Sequence, residues 1–208
     1  MEDKATTRTK SRYNRIAPVY DLMEVFIERF AFRPWRERLW SQVNGNRILE
    51  VGVGTGKNLP HYPRGIQITA VDLSDKMLKR ARRRVQELDI EVDLCLMDAQ
   101  RLALPDAALD AAVATFVFCS VPDPVLGLKE LARVVKPGGQ IILLEHMRAG
   151  HPILGRIMDW LNPLVVRVMG ANINRRTVEN VRKAGLPPQE VEDLSSAGIV
   201  KLIVSEAR

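Results

Sequence analysis

The run ILEVGVGTGKNLPHYP at residues 48–63 constrains this chain most. A short apolar strand leads into glycine at every second position, Gly52, Gly54 and Gly56, and the run then breaks at Pro60. Residues without Cβ adopt positive φ and let the backbone pass close to a ligand. In an open α/β sheet, nucleotide-type ligands lie where the first strand turns into the first helix. The dinucleotide fingerprint G-x-G-x-x-G would need glycine at 57, where Lys57 stands, and a phosphate-binding P-loop would need Ser or Thr next, where Asn58 stands. Glu50, two residues ahead of the first glycine, would repel a pyrophosphate and favour a cation. The turn therefore suits a guest that carries positive charge as well as a nucleoside.

The rest of the chain places that turn in a βαβ pattern. Strands are expected at 47–53, 66–73, 90–98, 109–118 and 140–147, with final strands near 189–194 and 199–205. Between them, SDKMLKRARRRVQEL starts on Ser74 or Asp75 as N-cap, and DPVLGLKELARVV stops at Pro137, Gly138 and Gly139. After residue 150 two helical segments are expected, broken at Asn162-Pro163 and at Gly170. A chain of 208 residues is the size of one domain. It divides into a leader over 1–43, a core over 44–148, a helical insertion over 149–187 and closing strands over 188–208. Cys95 and Cys119 stand in apolar stretches without a C-x-x-C pair or histidine grouping, so they read as reduced thiols and no metal site is expected. The polar start MEDKATTRTKSRYNR has no secretory core, and no window approaches a membrane span, so a cytoplasmic setting is expected.

S-adenosylmethionine combines an adenosine, a sulfonium and an ammonium, which is the guest the turn asks for. Asp72, at the end of the second strand, is placed to accept both ribose hydroxyls, and Asp98, followed by Ala99, ends the third. EVGVGTG at 50–56, with these two carboxylates and the VVKPGG turn at 134–139, resembles the class I methyltransferases. That resemblance implies an α/β Rossmann-like fold: a mainly parallel seven-stranded sheet flanked by helices, with N-terminal amphipathic helices. It also implies cofactor contacts from Tyr13, Glu50, Gly52, Gly54, Gly56, Asn58, Asp72, Leu73, Met77, Asp98, Ala99 and Phe116, with S-adenosylhomocysteine as product.

With the YNRIAPVYD leader and the late GANINRRTVENVRKAGL, the pattern is similar to bacterial phospholipid N-methyltransferases. It also resembles small-thiol methyltransferases and, more distantly, quinone C-methyltransferases, so the acceptor stays open among the three. Lys57-Asn58-Leu59-Pro60 suits the phospholipid and thiol groups better than the quinone group. Thr-Phe-Val-Phe-Cys-Ser at 115–120 is neither an N/D-P-P-Y turn nor a Pro-Cys nucleophile, so nucleic acid is not the expected acceptor despite 31 basic against 25 acidic residues. A non-catalytic lipid-surface protein on the same fold is the alternative of another class.

Phosphatidylethanolamine and its methylated products are thus the expected acceptors, met by a monomer on the inner face of the membrane. Val19, Leu22, Met23, Phe26, Ile27 and Phe30 make an apolar helical stripe behind Lys4, Arg8, Lys10, Arg12 and Arg15, suited either to an anionic bilayer or to covering the sheet. Ile153, Ile157, Leu161, Leu164 and Val168, beside Arg156 and Arg167, form a second stripe that could serve as lid, lipid contact or core. An amine acceptor must lose a proton. His146, ending the fifth strand, is the side-chain candidate for that base, with His61 and His151 behind it and water as the alternative. Tyr20 and Tyr13 come from the leader that, in this family, folds over the cofactor to cover the sulfonium or orient the amine. Arg175 and Arg176, between Gly170 and a new helix, are expected to fork a lipid phosphate.

Overall fold

The computed structural model describes residues 3–27, 32–195 and 197–208, leaving out the side chains of Val19, residues 21–27 and Met169. Helices α1 (Lys4–Ile27) and α2 (Arg33–Trp40) precede β1 (Arg47–Val51), β2 (Gln67–Asp72), α3 (Asp75–Leu88), β3 (Asp93–Leu96) and β4 (Leu109–Thr115). Then come α4 (Pro124–Val134), β5 (Val135–His146), α5 (Pro152–Met169), α6 (Thr177–Lys183), β6 (Pro188–Asp193) and β7 (Val200–Glu206). The strands form one seven-stranded sheet in the order β3-β2-β1-β4-β5-β7-β6. The first five run parallel, and β7 lies antiparallel to both β5 and β6.

Parallel strands covered on both faces carry apolar residues at successive positions rather than at alternate ones. Leu49, Val51, Ala112, Ala114, Ile141 and Leu143 face α4 and α6 through Leu128, Leu131 and Val181. Ile48, Ala111, Val113, Ile142 and Leu144 face the opposite way, toward Leu39 and Trp40 of α2 and Leu78 of α3. The chain reverses its order between β1 and β4, and that switch point opens the crevice in which ligands of such sheets lie.

Ser74 is the N-cap of α3, accepting from the Met77 amide at 3.1 Å, and Asp123 caps α4 through the Leu126 amide at 3.0 Å. β3 and β4 are shorter than the sequence expectation, and α4, β5 and α5 also depart from it. α4 already ends at Val134 and β5 starts at Val135, running through Pro137 with a register shift against β4. A proline fits there because the irregular stretch leaves its missing N–H outside the regular ladder. Pro163 does not break α5, which is continuous to the left-handed Gly170. Pro163 is exposed, so the carbonyl freed one turn earlier can be hydrated, while Asn162 is pinned by Asn172 and by the Ile173 amide. The N-terminal stripe from Val19 to Phe30 lies outside the described side chains.

Candidate cofactor site

The turn after β1 is anchored by the Gly52 and Val53 amides, which donate to the Val71 carbonyl at 2.7 and 3.0 Å. Its glycines serve different ends. A Cβ on Gly52 would fall 2.3 Å from Val117 Cγ2, and one on Gly56 2.5 Å from Leu59 Cδ1 and 3.4 Å from the Ala81 backbone, so these two make room for the protein itself. A Cβ on Gly54 would meet only the Gly52 carbonyl, at 3.9 Å. Gly54 has φ +56° and presents open backbone to a cleft at this end of the sheet.

That cleft lies at the carboxyl ends of β1 to β4. Val51, Gly52, Gly54, Asp72, Leu73, Met77, Asp98, Ala99 and Phe116 all line it, as do Tyr13 and Tyr20 from α1. Asp72 accepts the Gly54 amide at 2.9 Å and the Ser74 amide at 2.8 Å, which aims its carboxylate across the turn. Burial raises its pKa to about 6 against the pull of those amides. Asp98 accepts the Gln100 amide at 2.9 Å, and the Gln100 side-chain amide spans both its oxygens.

Glu50 and Asn58, expected to touch the cofactor, are placed behind the turn instead. Both are buried, and neither is among the residues lining the cleft. The Asn58 amide nitrogen donates to Glu50 Oε1 at 2.7 Å and to Thr115 Oγ1 at 3.0 Å, while its oxygen accepts from Arg36 at 2.9 Å. The Tyr62 hydroxyl donates to the other Glu50 oxygen. Burial lifts the Glu50 carboxyl to about 6, opposed by those two hydrogen bonds and by the Arg36 charge. Burial and the neighbouring Glu50 hold Tyr62 well above the usual phenol range, so the shared proton stays on tyrosine. The acid that sequence assigned to a cationic guest thus acts from below, tying β1, the turn and α2 together.

The opposite wall rests on a group that sequence reading missed. Phe116 adopts φ +57°, a left-handed conformation that costs a side-chain-bearing residue roughly 1–2 kcal/mol. Buried Glu145 holds the next residues by accepting the Val117 and Phe118 amides at 2.9 and 3.0 Å, and burial raises its carboxyl to about 7. A lone acid inside the apolar run IILLEHM was the available signal. Strained backbone held this way clusters at ligand sites.

Helix α1 closes the rim with Thr6, Thr9, Tyr13 and Tyr20, which share one helical face at spacings of three, four and seven. The Thr6 hydroxyl accepts from the Gln100 amide at 3.0 Å, Tyr13 pairs with Ser120, and Asn14 accepts the Ser74 hydroxyl at 2.5 Å.

Three expected substrate groups are placed otherwise. His146 ends β5 half-buried and outside the cleft lining, and burial lowers its pKa. Arg175 directs its guanidinium to the carbonyls of Val121 at 2.8 Å and Cys119 at 3.4 Å, so its fork grips backbone rather than standing ready for a phosphate. Arg176 pairs with Glu179 at 3.2 Å on the surface. Both line a separate basic groove with Arg148, Arg182 and Lys201.

The open Gly54 face and the strand-end carboxylates Asp72 and Asp98 fit an adenosine-bearing cation, whereas the carboxylate beneath the turn disfavours a pyrophosphate. Fold and site together define a Rossmann-like methyltransferase. Residues 49–143 match the family model described as a methyltransferase domain. The chain is 43% identical over 115 residues to a phosphatidylethanolamine N-methyltransferase of Cereibacter sphaeroides, covering 53% of this chain and 57% of that one. The chain thus matches little more than half the length of that relative. It is 30% identical to a demethylmenaquinone methyltransferase of Renibacterium salmoninarum over 83% of this chain and 72% of that one. It is also 30% identical to a rat thiol S-methyltransferase, over 76% and 69%. A solved SAM-dependent methyltransferase of Thermotoga maritima shares the fold, with TM-score 0.72 at 24% identity over 95% of this chain and 99% of the other. The chain belongs to the class I S-adenosylmethionine-dependent methyltransferases.

Proposed function

We propose that this methyltransferase adds methyl groups to the amine of phosphatidylethanolamine at a membrane surface. The observation that carries the reading is the 43% identity to the phosphatidylethanolamine enzyme, against 30% to the quinone and thiol enzymes. A second reading, a quinone or thiol acceptor, draws on the greater length of those matches.

Bound S-adenosylmethionine supplies a methyl group already activated on a sulfonium, so catalysis is chiefly alignment. Gly54 and Asp72 hold the turn that would receive the amino-acid and ribose parts, Asp98 and Ala99 the adenine edge, and Tyr20 and the Tyr13–Ser120 pair stand at the cleft wall. Hydroxyl oxygens there can accept from the incoming ammonium and hold its nitrogen in line. The acceptor nitrogen would have to yield a proton, for which water can serve as base, before its lone pair could take the methyl group that the bound cofactor would supply. His146 has no position on this path, and Arg175 supports the loop carrying Ser120 instead of binding phosphate.

The test is labelled cofactor with matched panels of phosphatidylethanolamine, demethylmenaquinol and alkyl thiol. Label in the phospholipid alone is expected; label only in quinol or thiol overturns the reading.

A further inference from the structure

Helix α5 carries an apolar face that the rest of the fold leaves uncovered. Ile153 is 64% exposed, Ile157 46%, Trp160 80%, Leu164 61% and Val168 64%. At 3.6 residues per turn they fall within an arc of roughly 80° along a helix about 27 Å long. The opposite face is spoken for: Met158 is buried and its sulfur accepts the Ala149 amide, while Asn162 is bonded to the 172–173 loop. The strip follows the sequence pattern with one change, Trp160 in place of the half-buried Leu161.

Charge decides what covers it. Exposed Arg156 and Arg167 lie along the same flank of the strip, and the helix's sole carboxylate, Asp159, is bound by Arg148 at 2.9 Å and by Asn174 at 3.1 Å. A second copy laid antiparallel on this face would bring arginine flanks together with no acid to offset them. An anionic bilayer offers apolar depth to the strip and phosphate to the flank, and an indole at the centre suits the boundary between them. Among the described residues no helix is long and apolar enough to cross a membrane.

We infer that α5 is a membrane-docking helix that lies in the surface of an anionic bilayer, with Trp160 at its centre and Arg156 and Arg167 toward the headgroups. The loop leaving α5 ties this face to the cleft, because the Asn172 amide and side chain both donate to the Cys119 carbonyl at 2.9 Å, beside cleft-lining Ser120. Docking would therefore set the cleft rim against the lipid surface. That last consequence rests on the phospholipid reading; the docking itself does not.

The experiment uses the full chain without cofactor and vesicles of phosphatidylcholine with phosphatidylglycerol, free of phosphatidylethanolamine, so a failure of docking is distinct from a failure of the acceptor assignment. Ile157→Glu with Leu164→Glu should weaken vesicle binding by about tenfold or more, with melting temperature and cofactor affinity unchanged. Arg156→Glu with Arg167→Glu should abolish the preference for anionic over neutral vesicles. Brominated acyl chains should quench tryptophan emission in the wild type and lose most of that effect in Trp160→Phe, since Trp40 is buried and Trp35 half-buried. The Trp160→Phe measurement stands even if the glutamate variants fail to fold. Unchanged vesicle binding in the glutamate variants, unchanged quenching in Trp160→Phe, or a dimer in light scattering that the glutamate pair dissociates would each overturn the assignment.

Discussion

Substituting alanine at Gly54 and at Gly56 should separate cofactor binding from folding within a single turn. Both glycines have positive φ, +56° and +85°, so either alanine costs roughly 1–2 kcal/mol in backbone strain. At Gly54 little is added, because the new methyl meets only a carbonyl oxygen at 3.9 Å. At Gly56 it would sit 2.5 Å from Leu59 Cδ1 and against the Ala81 backbone of α3, and such overpacking costs a further 1–3 kcal/mol or so. For a domain of this size each kcal/mol moves the melting temperature by about 2–4 °C. Gly54→Ala should thus melt about 2–8 °C below the wild type and Gly56→Ala about 4–20 °C below it. Affinity should rank the other way. The Gly54 methyl projects into the cleft where the ligand must approach, and a loss of at least about 1.4 kcal/mol, or tenfold, is expected in calorimetric titration with S-adenosylhomocysteine. If Gly54→Ala keeps wild-type affinity, or proves the less stable of the two, the division of labour among the glycines is wrong.

Burial raises Asp72 and Glu50 to about 6 and Glu145 to about 7, so each binds its proton more tightly folded than unfolded. Their contribution to stability, on the order of 2 kcal/mol each, is full below pH 4 and lost as pH rises through 6 to 7. The ligand-free protein should melt higher at pH 5 than at pH 7.5, and Glu145→Gln should flatten that dependence. Cofactor affinity should move oppositely, rising from pH 5 to 7 as Asp72 ionises to accept ribose hydroxyls, and Asp72→Asn should lower affinity and remove most of the pH dependence in titration calorimetry. Asn58→Ala removes the hydrogen bonds that Asn58 makes to Glu50, Thr115 and Arg36; at about 1–3 kcal/mol for a buried polar group that loses its partner it should lower the melting temperature by at least about 2 °C.

What could be read beforehand has a common physical origin. Strand periodicity, the glycine spacing, the Ser74 cap and the strand-end positions of Asp72 and Asp98 are local features, because backbone sterics and side-chain alternation act over a few residues. They sufficed for a parallel α/β fold with a nucleoside cleft at its first turn. Residue type also pointed to Tyr13 and Tyr20 through the family resemblance, and both line the cleft. Spacing along the chain is silent on distance across it. Whether Glu50 meets a ligand or Arg36, Asn58 and Tyr62 depends on how α2 packs beneath β1, and α2 contacts the turn from outside its own sequence neighbourhood.

The same limit separates the two ends of this chain's chemistry. The sequence by itself determined the fold class and the kind of cofactor, since strand, glycine turn and carboxylate follow one another within some fifty residues. Tertiary structure alone decided that Arg175 spends its guanidinium on the 119–121 loop 54 or more residues away, that His146 stands clear of the cleft, and that α5 buries Met158 while leaving Trp160 to solvent. An apolar stripe specifies that a helix has a face to cover. Which neighbour covers it is set by the competition of all other elements for the sheet, and here that competition leaves the α5 face open.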